Sequence, residues 1–74
     1  MKLVQRHAVV DGLGRFVAIL GKGYRNAPTE QFEYGTRDAD GILHVEGIAR
    51  VEKVALDERE PWFEVGAEWF ESHT

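Results

Sequence analysis

The sequence predicts an α+β fold, in which a small, strongly curled antiparallel β-sheet of about four strands is covered by one C-terminal helix. Three observations support this prediction. Two stretches rich in β-forming residues each contain a central turn with glycine, as expected for β-hairpins. The longest run of β-formers carries an internal glycine, which indicates a bend. The last stretch repeats glutamates and aromatic residues at helical spacing.

The first hairpin is predicted within residues 3–20. Residues 3–10 and 15–20 are rich in β-formers, and the sequence Asp-Gly-Leu-Gly that begins at Asp11 lies between them. Asp-Gly followed by a second glycine is a strong signal for a tight turn, because glycine adopts positive φ without strain. We therefore expect two antiparallel strands joined by residues 11–14.

The second hairpin is predicted from residues 31–34, which alternate polar and aromatic side chains, and from the turn-rich residues 36–41. The strand that follows, residues 42–56, is long, with apolar residues on both alternation sets and Gly47 near its middle. This pattern predicts a bulge or bend at Gly47, where the strand would cross between two packed layers.

The C-terminal helix is predicted to start at Asp57, which can act as N-cap with Glu60 three residues later in capping-box spacing. Two features favour a strand through residues 62–65 with one terminal turn: Gly66 lies in the helix interior, and Trp, Phe and Val prefer strands. We prefer a helix over residues 60–71, because a strand would mix tryptophan, glutamate and glycine on a single face. The runner-up fold is an all-β barrel of SH3-like or OB-like form, with this segment as its fifth strand.

Length and composition predict a single domain over residues 1–74, with 43% hydrophobic and 30% charged residues in the ordinary range for soluble proteins. The chain has no cysteine, which excludes disulfides and thiol chemistry and favours a reducing compartment. No stretch has the length of a membrane span or the core of a signal peptide. We therefore expect a cytoplasmic protein that does not contact a membrane.

The charge is unevenly distributed along the chain. Residues 1–26 carry five Lys and Arg against Asp11 alone, a net charge of +4, whereas residues 27–74 carry twelve carboxylates against four Lys and Arg, a net charge of −8. Such a split predicts either internal pairing or two faces of opposite charge. Self-association, with the positive half of one copy on the negative half of another, is a further alternative.

Catalytic chemistry is not predicted. The only serine lies two residues from the C-terminal end, and the histidines His7, His44 and His73 lie far apart with no nucleophile near them in the sequence. No motif for a cofactor, and no set of metal ligands, is present. The sequence therefore predicts a protein that is not an enzyme and that has no cofactor.

The predicted helix suggests a protein-binding surface, because its glutamates form a narrow ridge that no Lys or Arg interrupts. Glutamates at one-turn spacing can engage a basic groove on a larger protein, and an exposed tryptophan can anchor the contact. The favoured hypothesis is a small accessory or inhibitory regulator, similar in size and charge to phage-encoded regulators of host machinery. Its candidate partner-binding residues are Glu60, Trp62, Glu64, Glu68 and Glu71.

The alternative hypothesis is a small β-barrel-like domain that binds nucleic acid through its basic N-terminal half. A curled sheet can present cations and stacking rings to a single strand, as small nucleic-acid-binding barrels do. The candidate residues for this function are Arg15, Lys22, Tyr24 and Arg25.

Overall fold

The computed structural model describes residues 2–74, which form a curled, mixed β-sheet in the shape of a half-barrel with a short helix at the carboxyl end. The elements are β1 (Leu3–Asp11), β2 (Phe16–Leu20), β3 (Phe32–Arg37), β4 (Leu43–Asp57), β5 (Glu64–Val65) and α1 (Glu68–His73). The strands lie in the order β3-β4-β1-β2-β5, and neighbouring strands are antiparallel except for the parallel pair β2 and β5.

The first hairpin is confirmed as β1 and β2. The N–H of Gly14 donates to the carbonyl oxygen of Asp11 at 3.0 Å, and the side chain of Asp11 accepts the N–H groups of Leu13 and Arg15 at 2.9 Å each. Gly14 has a φ of 78°, the left-handed conformation that the turn requires. Local turn chemistry therefore determines this part of the fold.

The second hairpin is confirmed as β3 and β4, and the irregularity predicted at Gly47 is present. Tyr34 pairs with Gly47 but the next residue, Gly35, pairs with Val45, so that β4 carries one extra residue at this point. The strands approach so closely here that a Cβ on Gly35 would overlap the carbonyl oxygen of His44. The bulge bends β4, which pairs with β3 over its first half and with β1 over its second half.

The core lies between the sheet and α1. Val9 of β1 is fully buried and Ala49 of β4 is 2% exposed, and both belong to one cluster with Trp69 of α1, which is 7% exposed. Partly buried side chains from β2, β3, β5 and α1 complete this cluster: Val17, Ala18, Phe32, Tyr34, Val65 and Phe70, with Val51 of β4. A helix of only six residues is marginal alone, so its tryptophan and the sheet stabilise each other.

The prediction of a helix over residues 60–71 is wrong. β4 continues to Asp57, and the chain then makes a turn and runs without helix to β5, so that α1 includes only residues 68–73. The outcome is nearer to the rejected alternative, a short strand followed by a terminal turn. The physical reason is a set of tertiary contacts at Glu64, described below, together with the weak helix preference of the Pro, Trp, Phe, Val and Gly residues in this stretch.

The strand count also needs correction, because five strands are present where about four were expected, and one pair is parallel. The fifth strand of the runner-up fold is thus present as β5, although the sheet remains a half-barrel.

Within residues 2–74, no helix combines the length and the apolar character that a membrane span needs.

Candidate functional site

The glutamates of the predicted ridge do not share one helical face. Glu60 follows β4 in a turn and Glu64 lies on β5, whereas Glu68 and Glu71 are both in the first turn of α1. Trp62 precedes β5 outside any helix and is partly buried. The predicted continuous acidic ridge is therefore not formed.

Glu64 is occupied by contacts within the molecule. Its Oε2 accepts hydrogen bonds from Nε of Arg6 and from Nε1 of Trp62, both at 3.1 Å, and its Oε1 accepts the N–H of Lys22 at 3.3 Å. The Arg6 hydrogen bond, followed by the Trp62 hydrogen bond, lowers the pKa of Glu64 below its ordinary value. This carboxylate ties β5 to β1 and to the end of β2.

The other members of the predicted ridge differ in their surroundings. The Oε1 of Glu68 accepts the backbone N–H of Gly66 at 3.0 Å, which places this side chain at the start of α1. Glu60 and Glu71 are exposed and take part in no ion pair within residues 2–74. Glu68 is in no ion pair either, so that Glu64 is the one glutamate of the four that is paired with a cation within residues 2–74.

Most of the nine Lys and Arg side chains are already engaged. Five are in ion pairs with carboxylates: Lys2, Arg6, Arg15, Arg50 and Arg59. A sixth, Arg37, donates to the carbonyl oxygens of Gly41, Glu71 and Thr74. The side chains of the remaining three, Lys22, Arg25 and Lys53, make neither an ion pair nor a hydrogen bond in the described part of the chain, and we call them the uncompensated cations.

The three uncompensated cations lie in and around one groove. Two adjoining depressions, with volumes of about 170 and 430 Å³, share His7, Tyr24 and Lys53 in their walls. The first also includes residues on either side of Lys22, and the second includes Arg25. The larger depression lies within the range of roughly 300–1,000 Å³ that is usual for ligand sites. We call this combined feature the basic groove. His7, Tyr24, Arg25 and Lys53 line it, and Lys22 adjoins it between the lining residues Gly21 and Gly23.

Strand pairing and a turn-rich loop build the basic groove. His7 of β1 and Lys53 of β4 are register partners and lie side by side on the sheet. After β2, the N–H of Tyr24 donates to the carbonyl oxygen of Gly21 at 3.1 Å, with Gly23 between them at a φ of 77°. Asn26 then adopts a φ of 63°, a left-handed conformation that asparagine tolerates better than most residues. These turns form the loop wall of the groove.

Tyr24 packs against Phe70 of α1. Its ring stacks on Phe70 with a centroid distance of 5.9 Å and an interplanar angle of 28°. Phe70 in turn contacts Phe32 at 5.8 Å and Trp69 at 5.3 Å between centroids. One face of the Tyr24 ring is thus held by the aromatic core, while the residue lines both depressions.

Arg15, the fourth residue of the nucleic-acid hypothesis, lies apart from the basic groove. It follows the β1–β2 turn and lines neither depression, and its Nε donates to Oδ2 of Asp11 at 3.0 Å. The backbone N–H of Arg15 is the main cause of the lowered pKa of Asp11. The structure therefore brings together Lys22, Tyr24 and Arg25 but not Arg15.

Two groove residues, His7 and Lys53, were not among the sequence-predicted candidates. They are separated by most of the chain and become neighbours only through the pairing of β1 with β4. No local pattern around either residue marks it. The sequence does place each residue on a predicted strand. However, β1 and β4 are not consecutive strands, so their order in the chain does not predict that they pair.

A metal centre is not formed by any group of His, Asp or Glu side chains within residues 2–74.

No protein-family model matches this chain, and comparisons with curated proteins and with solved structures find no match to it either.

Proposed function

We propose that this chain is a non-catalytic cytoplasmic module that binds the phosphate backbone of nucleic acid in its basic groove. The observation that carries the proposal is that Lys22, Arg25 and Lys53 are the Lys and Arg residues whose side chains make neither an ion pair nor a hydrogen bond within residues 2–74. Arg25 and Lys53 line one concave site, and Lys22 adjoins it. Uncompensated cations that share a groove create a local positive potential, which attracts phosphates.

The net charge of −4 does not prevent this binding. Fields from exposed charges decay with a Debye length of about 10 Å at 0.1 M salt. Asp38 and Asp40 lie in the turn before Leu43, about ten residues along β4 from Lys53, which is at most roughly 30 Å at about 3.3 Å per residue. Glu64, a carboxylate near the groove, is already paired with Arg6. We expect the cations of the groove to dominate its local potential, offset in part by Glu30, which follows the lining residue Thr29 and makes no ion pair within residues 2–74.

The test is binding of a fluorescein-labelled oligonucleotide, followed by fluorescence anisotropy at low salt. We expect a dissociation constant of roughly 10⁻⁴ to 10⁻⁶ M at physiological salt, the range of sequence-independent binding, and tighter binding at low salt. A triple variant, Lys22→Gln with Arg25→Gln and Lys53→Gln, should lose this binding. The matched control Arg15→Gln removes a cation outside the groove and should retain most of it. Equal losses in the triple variant and in the control, or no binding by the wild type, would overturn the proposal.

A second candidate function, docking on a basic site of a larger protein, is favoured by one specific observation. Phe63 is 92% exposed, and it lies in the loop between Glu60 and Glu64, two of the glutamates that motivated this hypothesis. An exposed aromatic side chain near in sequence to Glu60, a carboxylate in no ion pair within residues 2–74, suits a pocket with basic surroundings. In this form the proposed surface centres on Glu60 and Phe63 and no longer on a helical ridge.

Affinity capture from a native cell extract, at low and at high salt, tests this second function. A partner protein retained by the wild type and lost by a Phe63→Ser, Glu60→Lys double variant supports it, provided that the partner is released by salt. The matched control is Leu13→Ser, which removes a 78% exposed apolar side chain from the β1–β2 turn. Equal retention by all three proteins would exclude docking through Phe63.

A further inference from the structure

We infer that the basic groove selects single-stranded over double-stranded nucleic acid, by stacking one base on Tyr24 while the cations around it hold the adjoining phosphates. This inference rests on the proposed function and deepens it. The carrying observation is the position of Tyr24, which lines both depressions and has Phe70 stacked behind it.

The aromatic support makes Tyr24 a prepared stacking platform. Phe70 holds one ring face at a centroid distance of 5.9 Å, and Phe70 is itself packed against Trp69, which is 7% exposed. A ring that is already ordered loses little conformational freedom when a base stacks on its other side. Every base has a flat π-face, so stacking on this ring requires no particular sequence.

The cations proposed to hold the phosphates flank Tyr24 in the chain or line the same groove. Lys22 precedes Tyr24 by two residues and Arg25 follows it directly, while Lys53 lies across the groove on β4 beside His7. A ligand held in this way needs a base free to leave its neighbours and a phosphate on either side. A single strand offers both, whereas the bases of a duplex are stacked and paired within the helix.

The stacking contact sets the size of the expected effect. Base stacking on an aromatic side chain strengthens binding by roughly 5- to 150-fold, as measured by alanine substitution. The wild type should therefore bind a single strand of about ten nucleotides, which is within the usual site size, at least about 5-fold more tightly than a duplex of equal length.

The experiment compares these two oligonucleotides with the full chain at low salt, using fluorescence anisotropy. Tyr24→Ala should weaken binding of the single strand by roughly 5-fold or more and leave duplex binding nearly unchanged. Tyr24→Phe keeps the ring and should keep the preference. A third probe, the same single strand with abasic sites, should bind the wild type as weakly as the normal strand binds Tyr24→Ala. This abasic comparison does not depend on whether the alanine variant folds.

The outcomes separate this inference from the proposed function. If single strand, duplex and abasic strand bind the wild type equally and the triple charge variant binds none of them, phosphate binding stands and selection by stacking is refuted. If Tyr24→Phe loses the preference as fully as Tyr24→Ala, the hydroxyl group and not the ring is responsible, which also refutes stacking. If the wild type binds no oligonucleotide, both the function and the inference fail.

Discussion

The salt dependence of oligonucleotide binding follows directly from the number of free cations in the basic groove. For single strands, each phosphate neutralised contributes about 0.7 to the slope of log affinity against log salt. Three contacts, from Lys22, Arg25 and Lys53, predict a slope of about −2. Raising the salt from about 50 to about 200 mM should then weaken binding by roughly 20-fold.

Removing one cation should change this slope by a known amount. Lys53→Gln leaves two contacts, so the slope should become shallower, at about −1.4. Raising the salt over the same range should then weaken binding by roughly 7-fold. The matched control is Arg59→Gln, which removes an equal charge from a residue whose Nε lies 3.6 Å from Oδ1 of Asp57 and which does not line the groove. Its slope should remain about −2.

The assay is a titration of each protein into labelled single strand at four or more salt concentrations, with circular dichroism as a check that both variants are folded. A wild-type slope near zero would refute phosphate binding by the groove. A slope that changes equally in Lys53→Gln and Arg59→Gln would show that net charge, and not the site, determines the attraction.

Three further predictions concern the fold, and each is measured by thermal or denaturant unfolding. Gly35→Ala should lower the free energy of unfolding by about 3 kcal/mol, because the added Cβ would overlap the carbonyl oxygen of His44. Gly12→Ala, whose added Cβ would have no atom within 4 Å, should change the free energy of unfolding by less than about 0.5 kcal/mol. Similar values for the two variants would contradict the close approach of the strands at Gly35. Trp69→Ala should lower the free energy of unfolding by about 3–5 kcal/mol or prevent folding, because it removes the core side chain beneath α1. A decrease below about 1 kcal/mol would be inconsistent with that packing. Because the pKa of Glu64 is lowered in the folded state, this carboxylate contributes to the free energy of unfolding. The contribution is complete above the ordinary pKa of 4.5 and is lost as the pH falls through the lower pKa of the folded state. Between about pH 6 and about pH 3 the wild type should therefore lose more stability than Glu64→Gln, and parallel losses would argue against the role of this carboxylate.

The two hairpins were predictable because their turns are encoded locally. Asp11 and its neighbouring glycines specify the first turn through contacts between residues no more than four apart. In the second, Asp38 accepts the N–H groups of Asp40 and Ile42 in the same way. The bend at Gly47 was also visible, since a glycine inside a long strand is typical of a bulge.

The C-terminal segment was not predictable from its own residues, because the spacing of its glutamates and aromatic residues fits a helix while its composition favours a strand. In the fold this segment is held by distant residues: β5 pairs with β2, and Arg6, which lies 58 residues before Glu64 in sequence, donates to its carboxylate. A single-sequence pattern contains no information about such a partner. The same reason applies to the groove, where His7 and Lys53 meet only through the pairing of β1 with β4.

The most direct test of the central claim, that the uncompensated cations form one phosphate-binding groove, is to map the bound site by two-dimensional ¹H–¹⁵N NMR. A single-stranded oligonucleotide is titrated into the ¹⁵N-labelled protein at low salt. Shift changes should be concentrated at residues 5–7, 21–29 and 51–53, which line or flank the groove. Changes centred on the turn near Arg15 or on the loop near Phe63, or none at all, would contradict the account.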